Sequence, residues 1–173
     1  GQAVNNARIL SNQIYQRTST HPNPSLAGVT QGINSFDGPC INCLFRNNIV
    51  GVAHHWGISA SDGCVGTIVQ GNTVYGCING NTATPITMDG GLVYNNIAGN
   101  LLGGSNIQID SCDPSEADAF VFFIDHLANN FHLEPSSPAV DTGDNAHMPP
   151  NDFEGDIRPC NGVVDVGADE ACP

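Results

Sequence analysis

One eight-residue pattern recurs three times in the middle of this chain. Residues 44–51 read LFRNNIVG, residues 68–75 IVQGNTVY and residues 92–99 LVYNNIAG, each block opening 24 residues after the last. The columns agree chemically: Leu44, Ile68 and Leu92, then Phe45, Val69 and Val93, then Asn48, Asn72 and Asn96, then Ile49, Thr73 and Ile97. A fourth copy fits upstream as ILSNQIY at residues 9–15, if 11 extra residues before Leu44 form a loop. The stretch HPNPSLAGVTQG supplies that loop, placing an insertion near residues 19–38.

Fixed repeats of 20 to 50 residues mark architectures in which each repeat buries its apolar side against its neighbours. A crossover helix between parallel strands would need an amphipathic stretch between the blocks. The intervening segments are instead rich in Gly, Asn, Thr and Ser, which suits short strands joined by turns. The spacing therefore predicts an all-β solenoid with about 24 residues per coil, equivalent side chains piling up at the ~4.8 Å strand spacing. It predicts one domain over residues 1–173, with coils to about residue 110 and an irregular closing segment over 111–173. Within each coil, the column Asn48, Asn72 and Asn96 is expected to form a hydrogen-bonded ladder at a tight corner, because Asn bonds neighbouring backbone groups and tolerates left-handed dihedrals.

The seven cysteines give a second reading of the register. Cys40, Cys64, Met88 and Cys112 also fall 24 apart, so a Cys40–Cys64 disulfide between adjacent coils is expected. Cys160 and Cys172 flank the last segment and are expected to close a terminal loop, while the partners of Cys43, Cys77 and Cys112 stay open. Cys40 and Cys43 form a lone Cys-x-x-Cys, with neither a following His for haem nor a second pair for zinc. Such cysteine density without a metal pattern points to an oxidising compartment, and so to a secreted or cell-surface protein. No apolar run is long enough for a membrane span. Beginning at Gly1 rather than Met, the sequence reads as a processed product or an excerpt.

Charge narrows the partners. Seventeen acidic residues face four basic ones, Arg8, Arg17, Arg46 and Arg158, with no lysine, for a formal charge of -13. Such a chain repels nucleic acid and anionic lipid. The tail is densest in carboxylates, of which Asp152, Asp156 and Asp165 are candidate calcium ligands, while Arg158 is their natural counter-charge. No other cofactor is implied. The column Ser11, Arg46, Gln70 and Tyr94 is expected to point outward and, with Trp56, offers a polar strip for a neutral glycan. His54 and His55 beside Trp56 face opposite ways in a strand, so joint ligation of one ion is disfavoured. Residues 113–130 suggest a short helix, then a buried strand around residues 120–124.

The repeat motifs NNIVG and NTVYG resemble those of the pectate-lyase-like superfamily of right-handed parallel β-helices. FHLEPSSPAVDTGDN at 131–145, NDFEGDIRP at 151–159 and VVDVGADEA at 163–171 are similar to the closing region of choice-of-anchor Q domain proteins. The resemblance implies a right-handed parallel β-helix on an exported bacterial protein, often tethered to the envelope or a polysaccharide-rich surface. One departure is that the family begins with a cap over its first coil, whereas this sequence opens on coil-like AVNNARIL. An uncapped end presents unpaired strand groups, which invites end-to-end stacking on a second copy.

Lyase chemistry on acidic polysaccharides needs a Lys or Arg base and cationic help for the uronate. Lysine is absent, and Arg46 is the one arginine within the clear repeat. Hydrolase chemistry needs paired carboxylates, and Asp62, Asp89 and Asp110 lie about one repeat apart. The reading that follows is a non-catalytic extracellular protein with a structural, adhesive or self-assembling role, and no catalytic residue is assigned. The alternatives are a β-helix polysaccharide lyase or hydrolase and a glycan-binding module.

Overall fold

A strand of three residues cannot persist alone, so strands this short must gain their stability by pairing with neighbours on both sides. The computed structural model, which describes residues 3–15, 32–35, 38–51, 56–60, 64–75, 84–88, 92–98, 107–108 and 122–172, shows how they do so. The strands are β1 (Val4–Asn5), β2 (Arg8–Leu10), β3 (Gln13–Tyr15), β4 (Ile33–Ser35), β5 (Cys40–Ile41), β6 (Leu44–Arg46), β7 (Ile49–Gly51) and β8 (Trp56–Ala60). They continue as β9 (Ile68–Gln70), β10 (Thr73–Tyr75), β11 (Thr84–Met88), β12 (Leu92–Tyr94), β13 (Ile97–Ala98), β14 (Ile107–Gln108), β15 (Phe123–Asp125) and β16 (Asn130–Leu133). Helix is confined to two single turns, His126–Ala128 and Asn145–His147, among the described residues. The chain is all-β.

Three parallel sheets hold most of these strands, in the orders β12-β9-β6-β2, β14-β13-β10-β7-β3 and β11-β8-β4. The chain visits them in a fixed sequence and returns to the first after 24 residues. Leu44 pairs with Ile68 and Ile68 with Leu92, while Ile49 pairs with Thr73 and Thr73 with Ile97. The three blocks of the repeat therefore lie side by side in the expected register.

The period is less regular elsewhere. Ile9 pairs with Phe45 and Arg8 with Leu44, so the upstream copy is offset by 36 residues rather than the expected 35. A slip of one residue exchanges the two faces of a strand. Ser11 thus aligns with Asn47, and Leu10 takes the place beside Arg46 expected for Ser11. In the third sheet Met88 pairs with Ala60, so it leaves the column expected to hold Cys64. Part of the insertion expected near 19–38 is itself a strand, β4, which pairs with β8.

Corner geometry explains why Asn is so frequent. Ser11, Asn47, Gly71 and Asn95 share one column, each with φ between 52° and 58°. Asn6, Asn42 and Gly66 form a second such column, with φ of 54° to 65°. Asn and Gly are the residues that occupy this left-handed region at least cost. The ladder is formed by the next residue along. Asn12 Nδ2 donates to Asn48 Oδ1, Asn48 Nδ2 to Asn72 Oδ1 and Asn72 Nδ2 to Asn96 Oδ1, each at 2.9 Å. The backbone N–H groups of Asn12, Asn48 and Asn72 donate to the same three oxygens. Two jobs expected of one column are thus divided between adjacent columns.

Alternation sets the core. Phe45, Val50, Ile58, Val69 and Val74 point between the sheets and are almost fully buried, together with Cys40, Cys43 and Cys64. On the opposite side of the second sheet, Ile49 and Ile97 join Phe122, Phe123, Phe131, Leu133, Val166 and Ala168 in a second core. That core fastens the closing segment, which runs from the antiparallel pair β15–β16 through residues 134–172. Phe123, expected in a buried strand, begins β15, but Ile124 is half exposed. The helix suggested from residue 113 falls outside the described residues.

Cys160 and Cys172 are joined by a disulfide, with Cα atoms 5.9 Å apart. Cys40 and Cys64 are thiols, contrary to expectation, with the Cys40 N–H donating to Cys64 Sγ at 3.1 Å. The physical reason is that equivalent residues of in-register parallel strands project side by side at the strand spacing of ~4.8 Å, whereas disulfides need Cβ atoms converging to about 3.8 Å. Cys43 is also a buried thiol, and Cys77 and Cys112 lie outside the described residues.

Candidate functional site

The face of the first sheet that points away from the inner core carries the column Leu10, Arg46, Gln70 and Tyr94. Much of this column lies beneath the closing segment. Gln70, expected on an open polar strip, is buried and donates from Nε2 to the His147 carbonyl at 2.9 Å. The Tyr94 ring stacks on the His147 ring, centroids 3.8 Å apart and 5° from parallel. Next door, in the left-handed column, Asn47 Nδ2 donates to the carbonyls of Asn151 and Asp152, and Asn95 Nδ2 to those of Asp144 and His147. Of the four residues put forward for glycan contact, Gln70 and Tyr94 are thus engaged with His147. The side chain of Trp56, which opens β8, lies outside the described residues, as do His54 and His55.

Arg46 is the exception. It lines a cleft of about 460 Å³ between the end of the first sheet and residues 150–155, with Leu10 and Ser11 on one wall and Phe153 and Glu154 on the other. Its Nη2 donates to Gln70 Oε1 at 3.0 Å, while its Nε is buried without an acceptor. Burial and the neighbouring positive charge of Arg8 both lower its pKa below the ordinary arginine value. No carboxylate forms an ion pair with Arg46 among the described residues.

The carboxylates of the tail are spent on the backbone. Asp152 Oδ1 accepts from the N–H groups of Glu154, Gly155 and Asp156, making the turn that forms the cleft's outer wall. Asp165 accepts from Asp141 N–H through Oδ1 and Ala171 N–H through Oδ2. Burial pushes its carboxyl up to about 6, those two donors offsetting part of the shift. Asp156 is exposed. The three residues put forward for calcium do not converge, and no group of three or more His, Cys, Asp or Glu side chains is placed to hold a metal among the described residues.

Arg158 is the counter-charge of the tail. It is 3 % exposed, its Nε donates to Glu170 Oε2 at 3.0 Å, and its Nη2 donates to the carbonyls of Gly167 and Asp169. Burial lowers its pKa, and Glu170 works in the opposite direction. Glu170 also accepts from the N–H groups of Cys160 and Asp165, so one buried pair ties together four stretches of the closing segment.

Sequence reasoning missed one constellation near the cleft. His132 Nδ1 lies 3.0 Å from Asp169 Oδ1, its Nε2 lies 3.8 Å from Glu154 Oε2, and its ring packs against Phe153. Asp169 Oδ2 accepts from Leu133 N–H, and burial raises the Asp169 pKa. His132 and Asp169 are 37 positions apart in a segment without a repeat, so no periodicity signals their meeting. Phe153 and Glu154 escaped for the same reason.

Comparison of the chain with protein-family models, with curated proteins and with solved structures returns no match.

Proposed function

We propose that the chain is a right-handed parallel β-helix acting outside the cell as a non-catalytic module with a structural, adhesive or self-assembling role. The observation that carries this reading is the asparagine ladder and its open end. Each Asn in the ladder gives its side-chain and backbone N–H groups to the next layer's Oδ1. Asn12 begins the series exposed, and β2 is an edge strand. Edge strands with unpaired backbone groups are templates for a further strand, and a ladder of identical amides specifies its register. The layer that fits there is another of the same kind, supplied by a second copy.

Three further features support the reading. Asp152, Asp165, Asp169 and Glu170 are committed to backbone donors and to Arg158 or His132, a structural use of groups that hydrolysis would need elsewhere. The Cys160–Cys172 disulfide suits an oxidising compartment. The resemblance of the repeat and of the closing motifs to exported β-helix proteins agrees with both. Negative-stain microscopy and sedimentation of the purified chain over a concentration series test the proposal. Filaments or concentration-dependent oligomers are expected, and a monomer at every concentration contradicts self-assembly.

A further inference from the structure

Arg46 is a charge lacking its counter-charge. In folded proteins a guanidinium taken out of water is almost always paired, because an isolated buried charge is costly. Here one N–H group of five meets Gln70 Oε1, the Nε meets nothing, and the nearest described charge acting on it is the like charge of Arg8. This occurs in a chain of formal charge -13, where carboxylates are abundant. The closest candidate, Glu154, lines the same cleft but has its carboxylate near His132 rather than Arg46. Asp152, also in the lining, has one oxygen filled by three backbone donors.

We infer that the cleft beside Arg46 binds a small molecule carrying a carboxylate, whose oxygens take the unused donors of the guanidinium. The fork of Nε and a terminal nitrogen matches a carboxylate in two parallel hydrogen bonds. A cleft of about 460 Å³ holds a ligand of one or two sugar rings or a short diacid. Ser11 offers a hydroxyl, and Phe153 with Leu10 offers apolar surface for the remainder of the ligand. Long acidic polymers are disfavoured, since the overall negative charge repels them beyond the cleft while a single carboxylate is met locally. This site stands on the cleft's own geometry and is independent of whether copies assemble.

The test is calorimetric titration of the full chain with sodium glucuronate, sodium glutarate and glucose. Saturable binding of either carboxylate, with none of glucose, is expected, and the two acids tell a sugar acid from a plain diacid. Arg46→Gln removes the charge and should weaken binding by roughly 10-fold or more, as expected for loss of a bidentate charged contact. Glu154→Gln acts in the opposite direction: with one negative charge fewer in the lining, binding should tighten several-fold. Glu154 is exposed, so that variant keeps the fold and decides the matter should Arg46→Gln not fold. Equal binding of glucose, binding of neither acid, or an affinity unmoved by Glu154→Gln would overturn the proposal.

Discussion

Asn72 stands in the middle of the ladder and serves two layers at once. Its Nδ2 donates to Asn96 Oδ1 and to the Phe45 and Gln70 carbonyls, and its Oδ1 accepts from both N–H groups of Asn48. Asn72→Ala strands several buried polar groups, each costing about 1–3 kcal/mol, so a total near 3–5 kcal/mol is expected in denaturant unfolding. Asn12→Ala, at the exposed end, should cost about 1 kcal/mol. Gly71 gives a different kind of residue-level prediction. Its φ is +58°, and a Cβ there would lie 3.0 Å from Asn47 Oδ1, 3.1 Å from Arg158 Nη1 and 3.1 Å from Pro149 Cγ. Gly71→Ala should therefore destabilise by about 1–3 kcal/mol, combining the dihedral penalty with crowding at the seam between sheet and closing segment. The Asn columns were legible in the sequence because they repeat. Which of two adjacent asparagines turns the corner and which builds the ladder was not, since Asn-Asn satisfies both roles in either order until the backbone dihedrals are known.

At the level of elements, the parallel strands and the closing segment are stabilised by different physics. The strands were readable from apolar columns 24 residues apart, and where that spacing held, the pairing followed. It failed where a layer carries an insertion: a single added residue between β3 and β6 moves every side chain of β2 to the other face. The closing segment has no period, and its fold depends on contacts such as Arg158 with Glu170 and Asn47 with Asp152, which no local rule predicts. Arg158→Gln leaves Glu170 buried without its partner, and a loss of about 3–5 kcal/mol is expected from thermal or denaturant unfolding. Acid acts on this segment through Asp165. Its folded pKa is raised to about 6 from the ordinary 3.8, so the folded chain binds that proton more tightly than the unfolded one. Its contribution to stability accordingly grows as pH falls from 7 through 6 toward 4. Asp144, held below its usual range chiefly by its hydrogen bond with His147, works in the opposite sense and loses its contribution below about pH 4. Comparing melting curves of the parent and Asp165→Asn between pH 4 and 7 isolates the first effect: the acid-side gain should be smaller in the variant. An equal gain in both would refute the assignment to Asp165.

For the whole molecule, the account is of short parallel strands made stable by stacking, with an aperiodic tail folded back along one side. The tail covers Gln70 and engages Tyr94, and leaves Arg46 beside a cleft, so the surface available for recognition is set by the closing segment rather than by the repeat. That is why a strip inferred from the repeat alone included residues the tail occupies. The layered register is the claim from which assembly, ladder energetics and cleft geometry all descend. Through-hydrogen-bond scalar couplings in solution NMR measure it directly. Couplings are predicted from the Thr73 amide to the Asn48 carbonyl and from the Ile97 amide to the Asn72 carbonyl, bonds of 2.9 Å in both layers. Amides of residues 73 and 97 coupled instead to carbonyls within their own blocks, or to partners in antiparallel order, would contradict it.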